Sequence, residues 1–93
     1  MKPTSNLVGT PDPEIVAGIT DAIRAVSAKA RDVVITPQSL LYEDLSLDSL
    51  DMVAVVLRLQ DEFQVEIDPD DITTMRRVED IAASLTKQLR TAA

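Results

Sequence analysis

Residues 44–53 read DLSLDSLDMV and join a leucine-containing loop to a helix. Asp48 comes directly before the apolar run, and Asp51 follows three residues later. An aspartate before a helix with an acidic residue three positions on is a weak form of the capping box. The pattern therefore predicts a helix from Ser49 to Phe63, with Asp48 as its N-cap. Judged by position alone, Ser49 is most simply a second capping residue, which is the commonest role of serine at a helix start.

The spacing of apolar residues predicts further helices on both sides of this one. Asp12 is the expected N-cap of a helix from Pro13 to about residue 30. A short helix is expected near residues 70–74 and a last helix at about 77–90. Residues 31–47 form a long connection whose leucines allow it to pack as an ordered loop. The predicted fold is all-α: a small bundle of three main helices plus a short fourth, with a long ordered loop between the first two main helices.

Size and composition indicate one domain, placed at residues 12–90, with flexible tails at 1–11 and 91–93. The sequence has 93 residues, and aromatic residues are only 2% of it, so the core must be aliphatic. It has no cysteine, which excludes disulfides and thiolate metal ligands and favours a reducing cytoplasm. No stretch approaches the roughly 20 apolar residues of a membrane span. We expect a monomer.

Acidic residues dominate the charge and cluster in one part of the chain. Sixteen acids against nine bases give a net charge of −7, which argues against nucleic acid as a partner. From Glu43 to Asp71 there are ten acids and one base, Arg58. For any single acid a solvated surface is the simpler interpretation. The cluster is equally compatible with a docking face for basic partners.

The helix after Asp48 is apolar on two sides. One side suffices for a core and consists of Met52, Val55, Val56, Leu59 and Phe63. The other side consists of Leu50, Val53, Ala54 and Leu57. Most surface helices show one apolar stripe. A helix of a small bundle cannot be covered by other helices on every side, so the second apolar side needs an explanation. Either the long loop covers the second side, or that side meets a ligand or a partner.

Composition argues against Ser49 as a nucleophile in its own right, and a serine-lysine pair has no lysine nearby in the sequence. The sequence has no histidine, so no Ser-His-Asp arrangement exists. It has no cysteine either, so a metal site built from histidine or cysteine ligands is excluded. Residues 68–79 share some spacing with a calcium loop, but Ile72 and Thr73 stand where a ligand and the turn glycine are needed. Modification by an external enzyme remains. A phosphate ester on Ser49 would face the free N–H groups of a helix N-terminus.

Three stretches together resemble the acyl carrier proteins. They are EDLSLDSLDMV at residues 43–53, LQDEFQVEIDPDD at 59–71 and VEDIA at 78–82. The Asp-Ser-Leu at the start of the second helix is the family signature. The resemblance covers about residues 14–90, which is nearly the whole predicted domain.

The resemblance implies a carrier, not an enzyme. Ser49 would accept a 4′-phosphopantetheine arm from coenzyme A through a separate Mg²⁺-dependent phosphopantetheinyl transferase, with Asp48 helping to present the serine. The thiol of the arm would hold acyl intermediates as thioesters for fatty-acid, polyketide or related specialised biosynthesis. Apolar contacts to partners and acyl chains are implied for Leu50, Val53 and Leu57. Recognition by basic docking surfaces of acyl-loading and chain-processing enzymes is implied for Asp51, Asp61 and Glu62.

The sequence also departs from the family pattern. Ser46 stands where many carriers have glycine, and Ala54 stands where fatty-acid carriers are often acidic. Arg58 puts a positive charge in the usual acidic helix, which points to a specialised pathway. The last helix begins RRVED, at residues 76–80, where many carriers have a capping threonine. The alternative function is an acidic helical interaction module of the same fold that lacks the modification.

Overall fold

The computed structural model describes the chain from residue 12 to residue 92, with side chains as far as residue 89. Its elements are α1 (Pro13–Val26), a short 3₁₀ helix (Ala28–Asp32), α2 (Ser49–Phe63), α3 (Pro69–Ile72) and α4 (Val78–Ala92). The predicted all-α bundle is confirmed. The tail predicted at residues 1–11 and the final residue of the tail predicted at 91–93 lie outside the described residues.

The first helix is shorter than the predicted span of 13–30. It ends at Val26 because Ser27 turns into extended backbone (φ −118°, ψ 116°), and five residues of 3₁₀ helix follow. The side chain of Arg31 stabilises this change of direction by donating to the carbonyl of Arg24 at 3.2 Å. That carbonyl is one of those that the end of α1 leaves without a helical partner. The last helix runs two residues past its predicted end, to Ala92.

The core lies between α1, α2 and α4. Apart from Met52, its largest fully buried side chains are aliphatic, as the shortage of aromatic residues requires, and they include Ile19, Ile23, Leu59, Ile81 and Leu85. Gly18 lets α1 approach α2 closely, since a Cβ atom there would lie 2.8 Å from a ring carbon of Phe63. Most of the stability of such short helices comes from this packing and not from helix propensity.

The long loop packs against the helices, as predicted. Leu41, Leu45 and Leu47 are all buried in the common core. The loop also bonds to the segment before α4, because the N–H of Leu41 donates to the carbonyl of Arg76 at 2.8 Å. The loop therefore fixes the chain that leads into Ser49 relative to the start of α4.

The start of α4 is stabilised without a threonine cap. The Oδ2 atom of Asp80 accepts hydrogen bonds from the backbone N–H groups of Arg76 and Arg77, both at 2.9 Å. The next two N–H groups donate to carbonyls of the long loop: Val78 to Ser39 at 3.2 Å and Glu79 to Pro37 at 2.9 Å. The RRVED sequence is thus compatible with a fully bonded first turn, because one carboxylate and two loop carbonyls supply the acceptors.

Candidate functional site

The start of α2 is held by a capping box. The Oδ1 atom of Asp48 accepts a hydrogen bond from the N–H of Asp51 at 2.8 Å, and Oδ2 of Asp51 accepts from the N–H of Asp48 at 3.2 Å. The predicted role of Asp48 as N-cap is confirmed. The two carboxylates also place negative charge at the positive end of the helix dipole, which is favourable.

Ser49 is the first residue of α2, and its side chain is exposed. Its hydroxyl makes no hydrogen bond with any residue between 12 and 92, so Ser49 is not a cap in this structure. The interpretation of Ser49 as a capping residue is therefore wrong, because Asp48 already satisfies the N–H group that a cap would take. The Oγ atom is left accessible to another molecule.

The turn before the site includes a residue with left-handed backbone. Ser46 has φ 58°, in the region that glycine adopts without steric cost. Its neighbours Leu45 and Leu47 are both buried, whereas Ser46 itself is exposed. The turn thus anchors the loop on either side of residue 46, only three residues from the Ser49 hydroxyl.

The second apolar side of α2 is open to solvent. The exposed fractions of the side chains are 80% for Leu50, 47% for Val53 and 58% for Leu57, whereas Ala54 is half-buried. The opposite side forms the core as predicted: Met52, Val55, Val56 and Leu59 are buried, and Phe63 packs partly buried against them. Coverage by the long loop is excluded, because Leu50, Val53 and Leu57 remain exposed while Leu41, Leu45 and Leu47 of the loop are buried in the core. We call the residues Leu50, Val53, Ala54, Leu57, Arg58, Asp61 and Glu62 the outer face of α2.

The charged residues predicted for recognition divide into two groups. Asp61 and Glu62 are exposed near the end of α2, where they can meet a partner. Asp51 is half-buried, and one of its carboxylate oxygens is engaged in the capping box. Arg58 is exposed, and its guanidinium forms no ion pair within the described residues. The outer face therefore combines apolar, acidic and basic side chains.

A surface cleft that the sequence did not reveal adjoins the end of this face. Its volume is about 560 Å³, and it is lined by Leu57, Gln60, Asp61, Gln64, Val65, Glu66 and Gln88. The residues that shape it come from α2, the following turn and α4. Of these residues, only Leu57 and Asp61 belong to the predicted site. The sequence does not predict the contribution of Gln88, because that contribution depends on how α4 packs beside α2.

Neither a metal site nor a membrane helix is found in residues 12–92. No group of three or more acidic side chains there is arranged to hold a metal ion. Asp68, the first position of the calcium-like pattern, instead caps α3 by accepting from the N–H of Asp70 at 2.9 Å. Within the same part of the chain, every helix is too short or too polar to cross a bilayer.

Comparison with known proteins decides the family. The family model described as the phosphopantetheine attachment site matches residues 17–85, most of the chain. The chain belongs to the acyl carrier protein family. Among curated relatives, the meromycolate extension acyl carrier protein of Mycobacterium tuberculosis is 35% identical over 74 residues, covering 80% of this chain and 64% of that protein. The chain thus spans less than two thirds of the length of that relative.

Two further proteins of the acyl carrier family are similar to the chain. The acyl carrier protein of Syntrophobacter fumaroxidans is 43% identical over 54 residues, which cover 58% of this chain and 67% of that protein. The crystal structure of an acyl carrier protein from Thermotoga maritima aligns with a TM-score of 0.74 and 24% identity, over 86% of this chain and 92% of that one. The likeness to the Thermotoga structure concerns the fold alone.

Proposed function

We propose that Ser49 is the attachment residue and that the chain carries acyl groups on a 4′-phosphopantetheine arm. The observation that carries this proposal is the hydroxyl of Ser49: it is exposed, stands at the start of α2, and is not needed as a cap. Membership in a family defined by phosphopantetheine attachment supports the same residue. Attachment of the arm uses one serine oxygen and requires no metal ligand from this chain.

The loading step proposed is a transfer from coenzyme A. The Oγ atom of Ser49 attacks the phosphorus that bears the pantetheine arm and forms a new O–P ester bond. The pyrophosphate bond to the adenosine 3′,5′-bisphosphate breaks, and this group leaves with the bond electrons. The proton of the hydroxyl passes to a base of the transferase, since the chain offers no histidine. Once attached, the arm supplies a thiol that holds acyl groups as thioesters.

The residues around Ser49 position the hydroxyl and do not catalyse the transfer. The capping box of Asp48 and Asp51 fixes the first turn of α2, and buried Leu47 anchors the chain just before it. A side chain at the first position of a fixed helix has few orientations, which lowers the entropy lost when a transferase binds it. We therefore assign Asp48 to presentation of the serine.

The outer face of α2 is the proposed docking surface for the transferase and for acyl-loading and chain-processing enzymes. Leu50, Val53 and Leu57 provide the apolar area, and exposed Asp61 and Glu62 attract basic partners. The cargo belongs to fatty-acid, polyketide or related specialised biosynthesis. A relative is a carrier of meromycolate extension, which supports acyl-chain building as the process. We expect a cytoplasmic protein that is not itself catalytic.

Loading can be tested by mass and by thiol content. The purified chain is incubated with coenzyme A, Mg²⁺ and a phosphopantetheinyl transferase of broad specificity. Its intact mass is expected to rise by one phosphopantetheinyl group, and one thiol is expected to appear. After coenzyme A and the transferase are removed, every titratable thiol reports the arm, because the unmodified sequence has no cysteine.

Two serine variants serve as a matched pair in this experiment. Ser49→Ala is expected to remain unloaded, whereas Ser46→Ala, which removes an exposed hydroxyl three residues earlier, is expected to load like the parent chain. Failure of the parent chain to load with any transferase would contradict the proposal. It would favour an interaction module of the same fold that lacks the arm.

A further inference from the structure

Arg58 is the residue of the outer face whose charge is opposite to its surroundings. It lies four residues after Ala54, so these two side chains share one region of the α2 surface. Leu57 is 58% exposed, and Arg58 is exposed beside it. A partner that covers the apolar part of the face as far as Ala54 therefore also meets the guanidinium.

Arg58 has no counter-charge in the described part of the chain. Asp61 and Glu62 lie three and four residues further along α2, where helical spacing allows ion pairs, yet neither pairs with Arg58. It is also the single base among ten acids from Glu43 to Asp71. Desolvation of this charge by a partner is unfavourable unless that partner provides an acceptor.

We propose that the outer face of α2 selects a partner protein whose docking patch places a carboxylate opposite Arg58. Apolar contacts to Leu50 and Leu57 lie on one side of this pair, and basic residues of the partner face Asp61 and Glu62. A patch with basic residues only is attracted by the two acids but repelled by Arg58. Charge arrangements of this kind set association rates and exclude wrong partners. The inference rests on the proposed carrier function and names Arg58 as its specificity-determining residue.

The test uses arm transfer as the readout of docking. The probe is a phosphopantetheinyl transferase of known structure with a basic docking patch. The rate constant kcat/KM is measured for the parent chain, Arg58→Glu and Lys29→Glu. Both variants change the net charge by the same amount, but Lys29 is exposed on the 3₁₀ helix and not on α2. Lys29→Glu therefore reports the effect of total charge alone.

Arg58→Glu is expected to raise kcat/KM about tenfold at low salt, and Lys29→Glu less than about twofold. The difference should vanish at about 1 M salt, where the screening length is only about 3 Å. Next, a basic residue of the transferase patch that faces Arg58 is replaced by glutamate. This enzyme is expected to reverse the order, with the parent chain transferred faster than Arg58→Glu.

Several results would overturn the inference. Equal effects of Arg58→Glu and Lys29→Glu would show that only total charge matters. No reversal with the glutamate enzyme would show that Arg58 does not meet the docking patch. A dimer of the parent chain that Arg58→Glu dissociates would assign the face to a second copy. Loading of all variants at one rate removes this inference alone, whereas absence of loading in every variant removes the carrier function and the inference with it.

Discussion

The capping arrangement at the start of α2 predicts opposite behaviour for two adjacent substitutions. Asp48→Ala removes the acceptor of the 2.8 Å hydrogen bond from the N–H of Asp51. Loss of such a cap costs about 1 kcal/mol, and loss of a negative charge near the helix N-terminus adds about 0.3–1 kcal/mol. Asp48→Ala should therefore lower the free energy of unfolding by about 1–2 kcal/mol. Ser49→Ala removes an exposed hydroxyl that bonds to no residue of the described chain, so the change in the free energy of unfolding should stay within about 0.5 kcal/mol.

Urea unfolding followed by far-ultraviolet circular dichroism measures both effects on the unloaded protein. Thermal unfolding gives a second measurement. For a domain of this size, a loss of 1 kcal/mol in the free energy of unfolding lowers Tm by about 4–8 °C, so Asp48→Ala should melt about 4–16 °C below the parent chain. Ser49→Ala should melt within a few degrees of it. A loss of 1 kcal/mol or more in Ser49→Ala, with little loss in Asp48→Ala, would refute the assignment of the cap to Asp48.

Three other pairs of side chains allow similar tests by urea unfolding. Leu59→Ala should cost about 2–5 kcal/mol, because Leu59 is fully buried, whereas Leu57→Ala on the exposed side should cost less than about 1 kcal/mol; a reversal would mean that the two sides of α2 are misassigned. Ser84→Ala should stabilise the protein by up to about 1 kcal/mol, because the buried hydroxyl of Ser84 has no hydrogen-bond partner in the described part of the chain, and destabilisation would contradict this. Ser39→Ala should instead cost about 1 kcal/mol, since the Ser39 hydroxyl accepts from the N–H of Thr36 at 2.9 Å; an unchanged unfolding midpoint would argue against that bond. Asp80→Ala should cost about 1–2 kcal/mol by freeing two N–H groups before α4, and an effect no larger than that of Glu79→Ala would show that the loop alone caps this helix.

The features that the sequence predicted well are those encoded locally. The cap at Asp48 depends on residues three positions apart, and the two sides of α2 follow from helical spacing alone. The sequence also predicts the packing of the long loop, because exposing several leucines in so small a domain is unfavourable, and Leu41, Leu45 and Leu47 are indeed buried. The accessible hydroxyl of Ser49 follows from the cap, yet position alone favoured the opposite interpretation.

The features that the sequence did not predict depend on contacts between distant residues. The first helix ends early at Val26, where Arg31 reaches back to the carbonyl of Arg24. The start of α4 relies on loop carbonyls about forty residues away, for which no local pattern exists. The cleft beside the outer face depends in the same way on Gln88 of α4. Such contacts appear only once the helices are placed relative to one another.

Attachment of the arm to the Oγ atom of Ser49 can be tested by fragment mass spectrometry of the loaded chain. The chain is loaded by a transferase, digested, and the peptide that contains Ser46 and Ser49 is fragmented to locate the added group. We expect a phosphopantetheinyl ester on Ser49 and an unmodified Ser46. An added group on Ser46 or on any other residue, or a peptide that carries none under conditions in which a known carrier is loaded, would contradict it.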